Sequence, residues 1–272
     1  MSRSHTQLAA ELYDLQAPDW PGEIAFYREL AAEAAATGGA VLEVACGTGR
    51  VAIRLAQDGV RLVGIDVSQA MLDVARAKST DMANLRWVEG DMRAFDLGEA
   101  FALAIIPGHA FQHLVSVEDQ VACLECIRRH LRPGGRLVLH LDPPDFGWLG
   151  RLCTGQGGVF GPPEEVIDPA TGHRVRTSRA WSFEPSTQTA SVVTAWEEIG
   201  PEGEILDRWQ VGPTRLHSIF HFEVAHLLAR TGFEVEALYG DFSRGEFRDA
   251  SSQMIWVAGN RQRPTSSIRS SQ

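Results

Sequence analysis

Apolar residues fall in short, near-continuous runs separated by longer stretches with helical spacing. The runs Val-Leu-Glu-Val-Ala at 41–45, Arg-Leu-Val-Gly-Ile-Asp at 61–66, Leu-Arg-Trp-Val-Glu at 85–89, Phe-Ala-Leu-Ala-Ile-Ile at 101–106 and Arg-Leu-Val-Leu-His-Leu at 136–141 predict five strands, the first and fourth buried on both faces. Between them, Val51, Leu55 and Ala52, Ala56 repeat at helical spacing. Ser68 is suited to N-cap a helix over 69–76. A helix over 116–131 carries Val117, Val121, Leu124 and Leu131 as its apolar face and stops at Arg-Pro-Gly-Gly. This alternation predicts a parallel sheet with helices on both faces. Right-handed crossovers then bring the C-terminal ends of the strands to one edge.

Both flanks differ from this pattern. Residues 1–36 predict two helices split by the turn-rich 17–22, a helical cover that carries Tyr13, Trp20, Phe26 and Tyr27. These aromatics suit either core and interface or a cover over a ligand, with Tyr13 and Tyr27 the candidates for the second role. Over 143–219 the β-favouring runs 175–183, 189–197 and 206–211 are joined by turn chemistry at 184–188 and 200–203. They predict an antiparallel insertion that leaves the sheet after its fifth strand and roofs the C-terminal edge as a lid. A helix over 221–230 and strands over 233–239 and 253–258 return the chain to the sheet, the last one antiparallel. The expected organisation is a core of 37–142 and 220–259, a lid of 143–219 and a disordered tail of 260–272. The fold class is therefore α/β, a Rossmann-like, doubly wound arrangement.

Composition narrows the functions. A net charge of −10 and a pI near 5.4 oppose a surface that tracks phosphates, so nucleic acid is disfavoured as a partner. No apolar run reaches the roughly 18 residues of a membrane span. Four cysteines and the lack of a leader suit a reducing, cytoplasmic setting. Cys123 and Cys126 lie in a helical pattern with no second pair to complete a metal site, Cys126 opposite the apolar face, so no metal is expected.

Chemistry concentrates at the predicted strand ends, where open α/β sheets bind ligands. Gly47 and Gly49 form a tight turn after the first strand, and with Ala52 they also fit a dinucleotide fingerprint. Asp66, nineteen residues beyond Gly47, suits a carboxylate accepting both hydroxyls of a ribose. An NAD-dependent oxidoreductase shares both features, and Asp91 after the third strand separates the two readings.

Taken in order, Glu43-Val-Ala-Cys-Gly-Thr-Gly49, the run 64–72 from Gly64 through Asp66, Val67 and Met71, Gly90-Asp-Met92, and Leu-Arg-Pro-Gly-Gly-Arg-Leu at 131–137 resemble the class I S-adenosylmethionine-dependent methyltransferases. Ala45 stands where that family usually has its first glycine. The resemblance implies a seven-stranded sheet with a reversed last strand and S-adenosylmethionine as cofactor. It places the methionyl part at Ala45, Gly47 and Gly49, the methionyl amine by Glu43, the ribose on Asp66 with Val67 and Met71 nearby, and the adenine by Asp91 and Met92. Tyr27 would cover the cofactor. The loop 107–114 is similar to that of small-molecule methyltransferases, which would put Gly108 and His113 near the sulfonium end.

The cofactor carries its own electrophile, so the protein must align an acceptor and exclude water. A hydroxyl or acidic carbon also requires a base, whereas a neutral amine does not. His109 and His113 are the candidate catalytic residues, and Tyr13, Arg215 and His217 the candidate acceptor-binding ones. His140, inside an apolar run, reads as core, as do at least two of Trp181, Trp196 and Trp209. The expected function is methyl transfer to N, O or C of a small molecule. An NAD-dependent oxidoreductase, a tRNA or RNA methyltransferase and a binding-only protein are the alternatives, and oligomeric state stays open.

Overall fold

The computed structural model describes residues 3–17 and 19–260. Its central element is a seven-stranded sheet in the order β10-β11-β5-β4-β1-β2-β3. The strands are β1 (Val41–Val44), β2 (Leu62–Asp66), β3 (Leu85–Glu89), β4 (Phe101–Ile106), β5 (Leu131–Leu141), β10 (Glu234–Tyr239) and β11 (Met254–Gly259). β1 pairs in parallel with both β2 and β4, β2 with β3, and β4 with β5. β11 runs antiparallel to both of its neighbours. The topological switch lies between β1 and β4, so their C-terminal ends open a crevice at the sheet's centre.

Burial follows from the runs. Every residue of β1 and β4 is buried, as near-continuous apolar strands between two helical layers require. On one face, α2 (Glu23–Ala36) and α3 (Ala52–Gln57) contribute Phe26, Leu30 and Leu55 to a core with Val41 and Leu103. On the other, α5 (Val117–His130) and α7 (His221–Arg230) add Leu124, Ile127, Leu227 and Leu228 to Leu42 and Ile106. α4 (Gln69–Lys78) is N-capped by Ser68, whose hydroxyl accepts from the Met71 N–H. The turn expected before β5 is absorbed as a bulge: Leu131 opposes Phe101, and Arg136 opposes Leu103.

The insertion is a separate four-stranded antiparallel sheet, β6 (Glu164–Ile167), β7 (Arg174–Glu184), β8 (Thr189–Ile199) and β9 (Ile205–His217), reached through α6 (Phe146–Arg151). α1 (His5–Gln16) lies against it, joining Leu8 and Leu12 to Val175, Trp196 and Trp209. Trp196 and Trp209 are therefore core residues of the insertion, stacked with ring centroids 5.7 Å apart.

Two expectations are corrected. Cys126 is fully buried, its Sγ between the Phe95 N–H and carbonyl, because the segment after β3 covers the side of α5 that periodicity leaves polar. Asn260 does not begin a loose tail. It is buried, its Nδ2 donates to the Leu131 carbonyl at 2.9 Å, and its backbone N–H donates to Gly135. The rest of the expected tail, 261–272, lies outside the described residues.

Candidate functional site

A cavity of about 570 Å³ opens at the crevice between the ends of β1 and β4. Ten of the twelve residues read from sequence as cofactor contacts stand in its wall: Glu43, Ala45, Gly47, Asp66, Val67, Met71, Asp91, Met92, Gly108 and His113. They come from four strand ends, which is why they are scattered in sequence and adjacent in space.

The turn after β1 is held in left-handed backbone conformations, φ +56° at Ala45, +54° at Gly47 and +77° at Gly49. Ala45 adopts it against the usual penalty of about 1–2 kcal/mol for a residue with a Cβ. Nothing lies within 4 Å of where a Gly47 Cβ would be, so that position leaves open space at the cavity wall. Gly49 serves differently. A Cβ there would meet the Trp87 ring at 2.5 Å, so this glycine lets the turn seat on β3 and does not line the cavity.

Asp66 locks the turn to β2. One carboxylate oxygen accepts the Gly47 N–H and the other the Ser68 N–H, both at 2.8 Å. Asp91 accepts the Arg93 backbone N–H at 2.8 Å and its guanidinium, and that guanidinium also reaches Asp119 at 3.0 Å. Chiefly through the side-chain bonds to Arg93, the Asp91 carboxyl is held below its ordinary range.

Glu43 is the most perturbed acid of the wall. Burial pushes its carboxyl up to about 8, with Arg50 opposing the shift. The Ala52 backbone N–H favours the ionised carboxyl, yet Oε2 is buried without a partner. An unpaired buried oxygen of this kind is costly unless something fills the site. Arg50, also in the wall, is already committed. Its Nη1 and Nη2 donate to fully buried Glu23 of α2 at 2.5 and 2.9 Å, and Nη1 also reaches Asp19 at 2.6 Å.

The two candidate catalytic histidines separate. His113 ends a short 3₁₀ turn (Ala110–His113) in the cavity wall, and burial lowers its pKa against the opposing influence of the Arg215 backbone and Asp66. Its ring is neutral at neutral pH. His109 instead turns away, with φ +63°, to place Nε2 3.1 Å from His140 Nε2 beneath Trp20. His140 accepts the Gly108 N–H on Nδ1 at 3.2 Å, which leaves the ring proton on Nε2, facing Gln253 Oε1. Burial lowers His140 to about 3 and also lowers His109. This neutral pair braces the loop that carries His113.

Tyr13 stands in the wall, 40% exposed. Tyr27 does not reach the cavity: its ring is fully buried against Phe26 and Phe242, and its hydroxyl has no partner. His217 Nε2 lies 2.9 Å from Glu223 of α7, and its carbonyl accepts from Gln112 at 3.0 Å, so its ring braces the lid. The Arg215 side chain is exposed. Sequence reasoning missed Thr48, Arg50, Ser68, Arg93 and Asp119 in or beside this wall. Arg50 directly follows the glycine turn, a positional hint, but its partner Glu23 lies in the N-terminal cover. Thr48 is hydrogen-bonded to Asp14 of α1.

A methyltransferase domain family model matches residues 41–135. The cypemycin N-terminal methyltransferase of Streptomyces sp is 36% identical over 110 residues, 40% of this chain and 44% of that protein, so the chain spans less than half of that relative. The dTDP-3-amino-3,6-dideoxy-alpha-D-glucopyranose N,N-dimethyltransferase of Streptomyces fradiae is 34% identical over 225 residues, covering 71% of this chain and 87% of that protein. Among solved structures, the CcbJ methyltransferase of Streptomyces caelestis superposes with a TM-score of 0.74 at 27% identity, over 93% of this chain and 96% of that one.

Proposed function

Because the chain belongs to the S-adenosylmethionine-dependent methyltransferases, we propose that it moves the methyl group of that cofactor to an amine nitrogen of a small-molecule acceptor. The observation that carries the donor half is the buried, unpartnered Glu43 Oε2 in a wall that also presents Asp66 and the open face of Gly47. That wall fits the cofactor: an ammonium would satisfy Glu43, ribose hydroxyls would donate to Asp66, and Asp91 with Met92 would border the base. When bound, the cofactor supplies an electrophilic methyl group.

The remaining work belongs to the chain. Gly108 and His113 flank the place where the acceptor nitrogen must be aligned, and the neutral His113 ring offers a nitrogen to an amine N–H. An imidazole with a lowered pKa is a weak base. It suits an amine, for which alignment and removal of an easily lost proton suffice, better than an alcohol. The names of the cypemycin and Streptomyces fradiae relatives also specify nitrogen acceptors. Incubation with methyl-labelled donor and a panel of aminohexoses, peptides with free N-termini, phenols and carboxylates is expected to label amines. Label confined to phenols or carboxylates overturns the amine reading.

Glu43 gives a second expected result. With its carboxyl near 8, the free protein holds a proton there at pH 7. A cation seated against it favours ionisation, so donor binding is expected to release close to one proton at pH 7. Affinity should rise with pH up to about pH 8, and fall again above it as the donor's own ammonium loses its proton. Calorimetry in buffers of different ionisation heat measures the proton count, and zero release removes Glu43 from contact with the ammonium.

A further inference from the structure

The roof over the acceptor half can be located from strand register. On β7, Val175 packs on α1 and Thr177 Oγ1 lies 3.5 Å from Gln16 Nε2, so this face of the lid looks inward. Side chains alternate along a strand, and Trp181, four residues beyond Thr177, shares that inward face. Trp181 pairs with Val192 of β8, which pairs with Thr214 of β9. The next residue of β9, Arg215, meets His113 through its backbone. The row Trp181, Val192, Thr214 therefore crosses the sheet on the face that packs on α1 and ends beside the strand whose backbone meets the loop that carries His113. By the same alternation the Arg215 side chain points outward.

One side of this space is closed by α6. Trp148 meets Trp181 edge to face, ring centroids 5.3 Å apart at 78°, and both rings are half-buried. Arg179, on the same inward face, bonds Glu164 at 2.7 Å, and the basic residues of the cavity wall, Arg50 and Arg93, are ion-paired. What the corner offers a ligand is aromatic surface.

We infer that the Trp181–Trp148 corner is the acceptor-binding wall, taking the apolar ring or aliphatic face of the molecule whose amine meets His113. The corner is argued from register and ring geometry, while the amine rests on the function proposed above. Partly exposed indoles grip flat apolar faces. Trp181 is thus a specificity-determining residue.

The test uses a probe that needs no knowledge of the natural acceptor. A bisubstrate analogue, with the donor's sulfur replaced by nitrogen and linked through two carbons to cyclohexylamine, is compared with S-adenosylhomocysteine by calorimetry. The native protein is expected to bind the analogue about tenfold tighter or more. Trp181→Ala should erase most of that gain, and Trp181→Phe should keep part of it. S-Adenosylhomocysteine binding by each variant reports that the donor half is folded. If Trp181→Ala and Trp181→Phe keep the full gain, or if the native protein shows none, the wall is elsewhere. Should labelling fall on phenols while Trp181→Ala still erases the gain, the amine reading fails and the wall stands.

Discussion

Asp66→Ala is expected to weaken S-adenosylmethionine binding by about 100-fold or more. The carboxylate stands to lose two charge-assisted hydrogen bonds to the ribose, each worth about 1.5–3 kcal/mol. It also organises the site before any ligand arrives, since its two oxygens hold the N–H groups of Gly47 and Ser68. Alanine frees the turn after β1 as well as removing the acceptor. Asp66→Asn, which keeps one acceptor oxygen, should fall between alanine and the native residue. Equilibrium dialysis or calorimetry measures both, and an alanine variant within threefold of native affinity refutes the ribose assignment.

The second large effect is on stability. Arg50→Leu leaves Glu23, which is fully buried, without its bidentate partner. An uncompensated buried charge costs about 3–5 kcal/mol, a large part of the stability of a typical domain. Denaturant titration should show the midpoint falling by a corresponding amount. The double variant Glu23→Gln with Arg50→Leu should recover part of the loss, because the charge is then gone. Equal loss in the single and double variants would mean that packing of Arg50 on Trp20, 5.4 Å from the ring centre, is the main contribution.

The wall of the cavity was legible in the sequence because its parts are local. Glu43, Gly47, Asp66 and Asp91 each sit at or just beyond the end of a short apolar run, and a parallel sheet carries all such ends to one edge. The reversal of β11 was implied by the family resemblance, whereas the order of the strands comes from the structure. What escaped depends on partners distant in sequence. Arg50 finds Glu23 through the packing of α2 on α3, and His109 turns toward His140 because Gln253, on the approach to β11, completes the cluster. Cys126 was misplaced since periodicity reports only the helix's main apolar face and not the segment that crosses its other side. In the lid, strand spacing was readable but facing was not: a bulge between Val192 and Thr194, opposite Gly212, shifts the alternation of β9. Sequence periodicity alone therefore could not assign Arg215 to the outer surface.

α1 touches four things at once. Leu8 and Leu12 pack on the lid tryptophans, Asp14 bonds Thr48 in the glycine turn and Lys78 on α4, and Tyr13 faces the cavity. A helix shared in this way would link the affinities of a donor and an acceptor bound on either side of it. The cost that one ligand pays to seat α1 would be spared the other, and the factor by which each tightens the other would have to be equal.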